Sequence, residues 1–265
     1  MKFQGELFRW VRAPFNWLLE FIYPPTCLVC GTVVENGDPI CGRCFSKIQP
    51  YSERNGLEEL WISRHGINPI YLDGFLAGFY FEPNLQNLLH LLKYQKQRRL
   101  GSFFGRWLGK NLSLQLQAWS IDWVVPVPLH PRKRRKRGYN QSDLIARAVA
   151  AENGFLLAKS ALKRTRNTST NTGLSALERL RNVSGAFVVH PKFNFSGKRI
   201  LLVDDVITTG STLNACAEPL KKAGAAAVFA LTVAHPPLED LHFSKNSAIF
   251  KEDSGNSGFT VELGN

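Results

Sequence analysis

The sequence predicts an α/β protein, a sheet flanked by helices, with a small metal-binding element ahead of it. Two stretches carry that expectation. Residues 200–203 are an uninterrupted Ile-Leu-Leu-Val run, the pattern of a strand buried on both faces. The run leads into Asp204-Asp205, a Thr/Gly/Ser turn and a helical pattern from Leu213. Nearer the N-terminus, Cys27 and Cys30 form one C-x2-C pair and Cys41 and Cys44 a second, with ten residues between them.

Size and charge bound the rest. A chain of 265 residues can bury one sizeable core and carry an appendage. An apolar fraction of 44% with six Trp excludes a disordered chain. The net charge of +12 points to polyanionic partners: nucleic acid, a phosphorylated small molecule or an anionic membrane surface. No apolar run approaches the length of a bilayer span. Arg9, Arg12 and Glu20 interrupt the N-terminal apolar residues, and no small-residue cleavage site follows, so the expectation is a cytoplasmic protein. Cysteines there stay reduced, and paired ones usually bind metal.

In residues 1–22, Leu7, Trp10, Val11, Leu18, Phe21 and Ile22 recur at helical spacing, and Pro14 divides two short amphipathic helices. They are expected to cover a core; peripheral membrane contact is the alternative. Residues 23–50 form the cysteine element. Two knuckles, Cys27/Cys30 and Cys41/Cys44, complete a closed tetrahedral zinc shell, which makes the site structural. Redox pairs or disulfides are the competing reading. The segment after Pro50 reads as a linker to a domain over residues 70–235.

That domain opens with a strand over residues 75–81. Leu85, Leu88, Leu89 and Leu92 then mark a helix whose basic end (Lys93, Lys96, Arg98, Arg99) is expected to be solvated. Phe103, Phe104, Trp107 and Leu108 mark another. Residues 123–129 form a strand and its exit, with Pro126 and Pro128 fixing an unusual turn. Arg132, Lys133, Arg134, Arg135, Lys136 and Arg137 follow as an exposed loop. Its functional reading is a flexible arm closing on a pyrophosphate, and its other readings are a solvated loop or a nucleic-acid patch. Asn140 or Ser142 caps the helix carrying Leu144, Ile145, Ala148 and Val149. Residues 164–173 are polar, and residues 186–189 read as a strand. Beyond the Asp pair, Leu213, Cys216, Ala217 and Leu220 share a helical face, which makes Cys216 a small core residue. Pro219 is expected to kink this helix. Residues 228–233 form the last clear strand. Residues 236–265 are a weakly patterned tail, with one strand expected near 259–263.

The chemistry concentrates at the Asp pair. Ligands of open α/β sheets bind at the carboxyl ends of the strands, where Asp204 and Asp205 stand. Thr208, Thr209, Gly210, Ser211 and Thr212 offer hydroxyls and N–H groups at a helix start, a place for a phosphate. Carboxylates beside a phosphate repel it, so they suit sugar hydroxyls, with Mg²⁺ relieving the remaining repulsion. The run resembles the signature of type I phosphoribosyltransferases that binds PRPP (5-phosphoribosyl 1-diphosphate). By that resemblance Asp204 and Asp205 hold the ribose hydroxyls and serve catalysis, and residues 208–212 hold the 5′-phosphate.

The four-cysteine knuckle, the segment from Val125-Pro126-Val127-Pro128-Leu129 to Asn140-Gln141, and the loop after Asp204 occur in the order seen in the ComF family. These are bacterial phosphoribosyltransferase-like proteins of competence and external DNA use, and the chain is similar also to the members named GntX. The resemblance implies a type I phosphoribosyltransferase-like parallel sheet flanked by helices, with the zinc element at its N-terminal side. It places Val127, Pro128 and Leu129 at the pyrophosphate, and Arg137, Gly138, Asn140 and Gln141 in one site motif. Arg164, Thr168, Leu174, Arg179 and Asn182 match a second, in which Asn171 stands where the family has Gln. The implied function is Mg-dependent PRPP binding with transfer to an acceptor the sequence does not name, in the service of DNA uptake. Two alternatives stand beside it: an adaptor that binds single-stranded DNA or DNA-uptake proteins without turnover, through residues 132–137, and a PRPP-sensing regulator.

Overall fold

The computed structural model describes residues 24–34, 37–52, 69–166 and 176–237. The expected N-terminal helices, Thr168, Asn171, Leu174 and the tail beyond residue 237 lie outside them. The elements run α1 (Gly42–Phe45), β1 (Gly74–Tyr80), α2 (Pro83–Tyr94), α3 (Arg99–Asn111), α4 (Ser113–Ala118), β2 (Trp123–Pro126), α5 (Pro131–Arg137), α6 (Gln141–Asn153), β3 (Leu156–Leu157), β4 (Leu162–Arg164), α7 (Ala176–Val183), β5 (Phe187–Val189), β6 (Arg199–Val206), α8 (Ser211–Lys222) and β7 (Ala227–His235).

Five strands form one parallel sheet in the order β1-β7-β6-β2-β3. The central β6 owes its place to composition. Ile200, Leu201, Leu202 and Val203 are fully buried, alternating between the two faces. Each such side chain contributes about 1.5–3 kcal/mol on burial, which a solvent-facing strand would forfeit. Leu201 and Val203 join a core shared with α2, α3 and α6; Ile200 and Leu202 join one shared with α8, β4 and β5. The short antiparallel pair β4–β5 stands apart from the main sheet.

The chain leaves β2 for α6 on one face and leaves β6 for α8 on the other. Between these neighbouring strands lies the point where the winding reverses, and there the two following segments separate into a crevice. Helix α6 sits deep because α3 presents Gly101, Gly105 and Gly109 to it. A Cβ built on Gly105 would lie 2.5 Å from the Ile145 carbonyl oxygen.

The cysteine element joins the α2/α3 face. Phe45 packs edge-on against Phe79, Phe103 and Trp107 at ring separations of 5.7, 5.3 and 6.2 Å. The chain then runs antiparallel beside β1, with Tyr80 N–H donating to the Gln49 carbonyl at 3.0 Å and Tyr51 N–H to that of Gly78 at 2.9 Å.

Two expectations are corrected. Residues 132–137 are not a loop or a flexible arm but most of a helix, α5. Its boundaries are built locally: the His130 side chain accepts from Arg132 N–H at 3.3 Å, Pro131 occupies the first turn, and Gly138 closes it at φ 81°. Long unbranched side chains favour a helix even when all are charged, and four cations in the last turn suit the negative end of its dipole. Lys93 is not a free surface charge but half-buried and paired with Asp205, as described below. Helix α8 runs through Pro219 and continues to Lys222. Cys216 is fully buried, as expected. Among the described residues no helix is long and apolar enough to cross a membrane.

Candidate functional site

Residues from β2 and β6 meet in the crevice. Pro126 pairs with Val203 in register, and Val127 N–H donates to the Val203 carbonyl at 2.9 Å. The exit of β2 (Val127, Pro128, Leu129) therefore lies beside Asp204 and Asp205. Asn140 fixes it there: its buried side chain donates to the Val127 carbonyl at 2.9 Å and accepts from Ser142 N–H at 3.3 Å, capping α6. Gln141, next in line, accepts from the Arg137 guanidinium.

The carboxylates differ. Asp205 is buried and pairs with the Lys93 ammonium at 2.5 Å, and its other oxygen accepts from Val206 N–H at 2.9 Å. Asp204 keeps some solvent access. It accepts from the Ser142 hydroxyl at 2.8 Å and from Asp205 N–H at 2.9 Å. Its carboxyl is nevertheless pushed up to about 7, first by loss of solvation and then by the neighbouring Asp205 charge. Arg164, at the end of β4, faces the same region: its charge acts on Asp204, Cys216 and His130. Burial first, then the charges of Arg164, Arg132, Lys133 and Arg135, lower the pKa of His130.

The loop after β6 turns at Gly210, whose φ of 81° lies in the left-handed region that glycine tolerates best. Thr209 and Ser211 are buried with hydroxyls 2.8 Å apart, and Ser211 N–H donates to the Thr209 hydroxyl at 3.3 Å. Thr208 and Thr212 retain access to solvent. The first N–H groups of α8 precede any intrahelical acceptor, so the loop presents donors and a positive helix end. Apart from Lys133 and Arg137, which are partly buried, the α5 side chains point to solvent.

Ser142 and Lys93 were not legible as site residues. By sequence position the serine is a helix cap and the lysine a surface charge; no local signal links either to the Asp pair.

The four cysteine sulfurs lie within 4.8 Å of one another. Cys30 and Cys41 are 3.7 Å apart, and Cys41 N–H donates to Cys27 sulfur at 3.3 Å. Without a cation the thiols cannot all ionise. Burial, then its neighbours, push Cys44 up to about 12, while the Thr32 hydroxyl pulls Cys30 down to about 6. A zinc ion stabilises four thiolates together, and four sulfurs at this spacing fit one.

A parallel sheet with an acidic pair and a phosphate-type loop at its switch point defines a type I phosphoribosyltransferase domain. Accordingly, residues 135–263 match the family described as Phosphoribosyl transferase domain, and residues 18–55 the Double zinc ribbon domain. The chain is 33% identical over 192 residues to competence protein F of Haemophilus influenzae, covering 70% of this chain and 80% of that one. It is 31% identical over 209 residues to the DNA utilization protein YhgH of Escherichia coli, covering 76% and 80%. The chain belongs to this competence protein F and YhgH family.

Proposed function

We propose that the protein is a Mg²⁺-dependent, PRPP-binding phosphoribosyltransferase acting in the cytoplasm, in competence and the use of external DNA. The observation that carries this reading is the adjacent Asp204 and Asp205 at the end of β6, followed directly by the Gly210 turn and the start of α8 beside the switch point. Carboxylates there accept from the ribose 2′- and 3′-hydroxyls. Residues 208–212 donate to the 5′-phosphate, and residues 127–129 line the pyrophosphate with Arg137, Asn140 and Gln141. An oxygen-rich ligand between carboxylates and phosphate donors suits Mg²⁺, which supplies charge neutralisation to the diphosphate.

In transfer, the bond from the ribose C1 carbon to the pyrophosphate oxygen breaks and its electron pair leaves with pyrophosphate, while the acceptor's nucleophile bonds to C1. Negative charge grows at the leaving group, and the Arg137 guanidinium, which Gln141 accepts from at the end of α5, is the cation proposed to meet it. Competence and DNA use come from the names of the relatives.

Calorimetry with Mg-PRPP tests the reading. Saturable, Mg-dependent binding to wild type and its loss in Asp204→Ala is the expected result. No binding at millimolar ligand, or identical binding to both proteins, overturns it. Pyrophosphate release on adding candidate acceptors then identifies the acceptor.

A second reading has its own observation: α5 carries six basic side chains, none buried, and ends at the site. If it grips single-stranded DNA, log K falls with log salt at about −0.7 per phosphate contact. Replacing all six with Gln removes that dependence.

A further inference from the structure

We propose that Lys93 is a positioning residue of the PRPP site, neutralising one charge of the Asp pair and fixing the orientation of Asp205 so that the pair meets the ribose as a monoanion. This rests on the PRPP reading above. Lys93 reaches the pair from α2, on the face opposite α8 and the phosphate loop, and its ammonium lies 2.5 Å from Asp205. The lysine side chain is 24% exposed and the aspartate side chain 7%, so water screens the contact weakly.

The end of α2 is itself held. Buried Tyr139 donates its hydroxyl to the Leu92 carbonyl, one residue before Lys93. Arg98 lies 4.9 Å above the Tyr139 ring, and Arg137 lies 5.3 Å from the ring of Tyr94, one residue after Lys93. The same turn of helix thus touches the ribose side of the crevice through Lys93 and the pyrophosphate side through its neighbours.

Among the described residues, four groups act on the pair from the elements packed around it. Lys93 comes from α2, the Ser142 hydroxyl from α6, Arg164 from β4 and the Cys216 thiol from α8. Lys93 and Ser142 both pull the Asp204 carboxyl down against its burial. Without Lys93 two carboxylates face each other with less cation, and the proton that Asp204 already holds part of the time near neutral pH is held more firmly. A protonated carboxyl accepts less well from a hydroxyl, so ribose binding weakens until the pH is high enough to remove that proton.

The test compares wild type, Lys93→Met and Lys93→Arg. Carboxyl titration in the free proteins is followed by NMR on 13C-labelled aspartate, and Mg-PRPP affinity is measured from pH 6 to 9. In Lys93→Met the apparent midpoints of the pair are expected to rise by about one to three pH units, the effect of losing an adjacent opposite charge. Because the wild-type Asp204 midpoint is itself about 7, a one-unit rise lowers the ionised fraction at pH 7 from about one half to about one tenth; affinity there falls at least about fivefold, and the deficit narrows as pH rises. Lys93→Arg keeps the wild-type profile. An unshifted titration in Lys93→Met overturns the proposal, whatever PRPP does. So does an affinity loss equal at every pH, which is what a merely structural lysine would give. A shifted titration in a protein whose wild type binds no PRPP retires the ligand while leaving the Lys93–Asp205 charge control standing.

Discussion

Replacing Gly105 with alanine probes the contact that seats the site. Gly101, Gly105 and Gly109 lie one turn apart on α3 and face α6. At Gly105 the new Cβ would meet the Ile145 carbonyl oxygen at 2.5 Å and the Ala148 Cβ at 2.7 Å. Carbon contacts settle near 3.5–4.0 Å, so the helices must separate by about 1 Å. A backbone oxygen and a Cβ have no rotamer into which to retreat, and the upper part of the usual overpacking cost applies, about 2–3 kcal/mol. Alanine returns about 1 kcal/mol through better helix propensity. The expected net loss is about 1–2 kcal/mol, read as a fall of roughly 0.5 M in the urea midpoint followed by circular dichroism. Gly42→Ala is the control: nothing lies within 4 Å of its Cβ, and its midpoint should stay or rise slightly. A Gly105→Ala protein as stable as wild type would refute the reasoning. Because α6 begins at the Asn140 cap, PRPP affinity should fall in the same variant.

Asn140→Ala removes the α6 cap, about 1 kcal/mol, and leaves the Val127 carbonyl without its donor, about 1–3 kcal/mol more; a thermal melt within a degree of wild type would count against this. The raised Asp204 carboxyl sets a pH dependence. Its folded value of about 7 exceeds the unfolded value of about 3.9, so the native state holds the extra proton between them and wild-type stability declines as pH rises from about 4 to about 7. Asp204→Asn lacks this decline and should gain on wild type through that window, with the difference flat above it; parallel urea midpoints from pH 4 to 8 would contradict it. Metal analysis should find one zinc per chain, falling away in Cys44→Ser. Chelation should shift tryptophan emission to the red as Trp107 loses Phe45, and an unchanged spectrum would mean that the knuckle keeps its packing without metal.

What could be read in advance was what a short window encodes. The run at residues 200–203, short and ended by a turn signal, favours a doubly buried strand, the cysteine spacing admits only a few chemistries, and Asn140 before an amphipathic stretch marks a cap. The caps of α5 were equally local, in His130-Pro131 and Gly138, but six adjacent charges outweighed them. Lys93 was hidden for another reason: its partner Asp205 is remote in sequence and meets it only once α2 lies across the strand ends. The α3 glycines were silent because a glycine inside a helical pattern reads as weakness until a second helix fills the space. Residues 186–189 read as a strand, but its partner β4 and their pairing apart from the main sheet did not, since a three-residue strand in a polar stretch carries no pattern.

The stretch beside β1 has a further consequence. By pairing with Gly78 and Tyr80, residues 49–51 occupy the outermost hydrogen-bonding row of the sheet, while the opposite border, β3, is only two residues long. Among the described residues, neither rim then offers a long, flat template on which another molecule could add a strand. The zinc knuckle anchors the residues that close one of those rims. Metal-depleted protein, still otherwise folded, would therefore be the species that self-associates, and restoring the ion would protect solubility before it altered any ligand affinity.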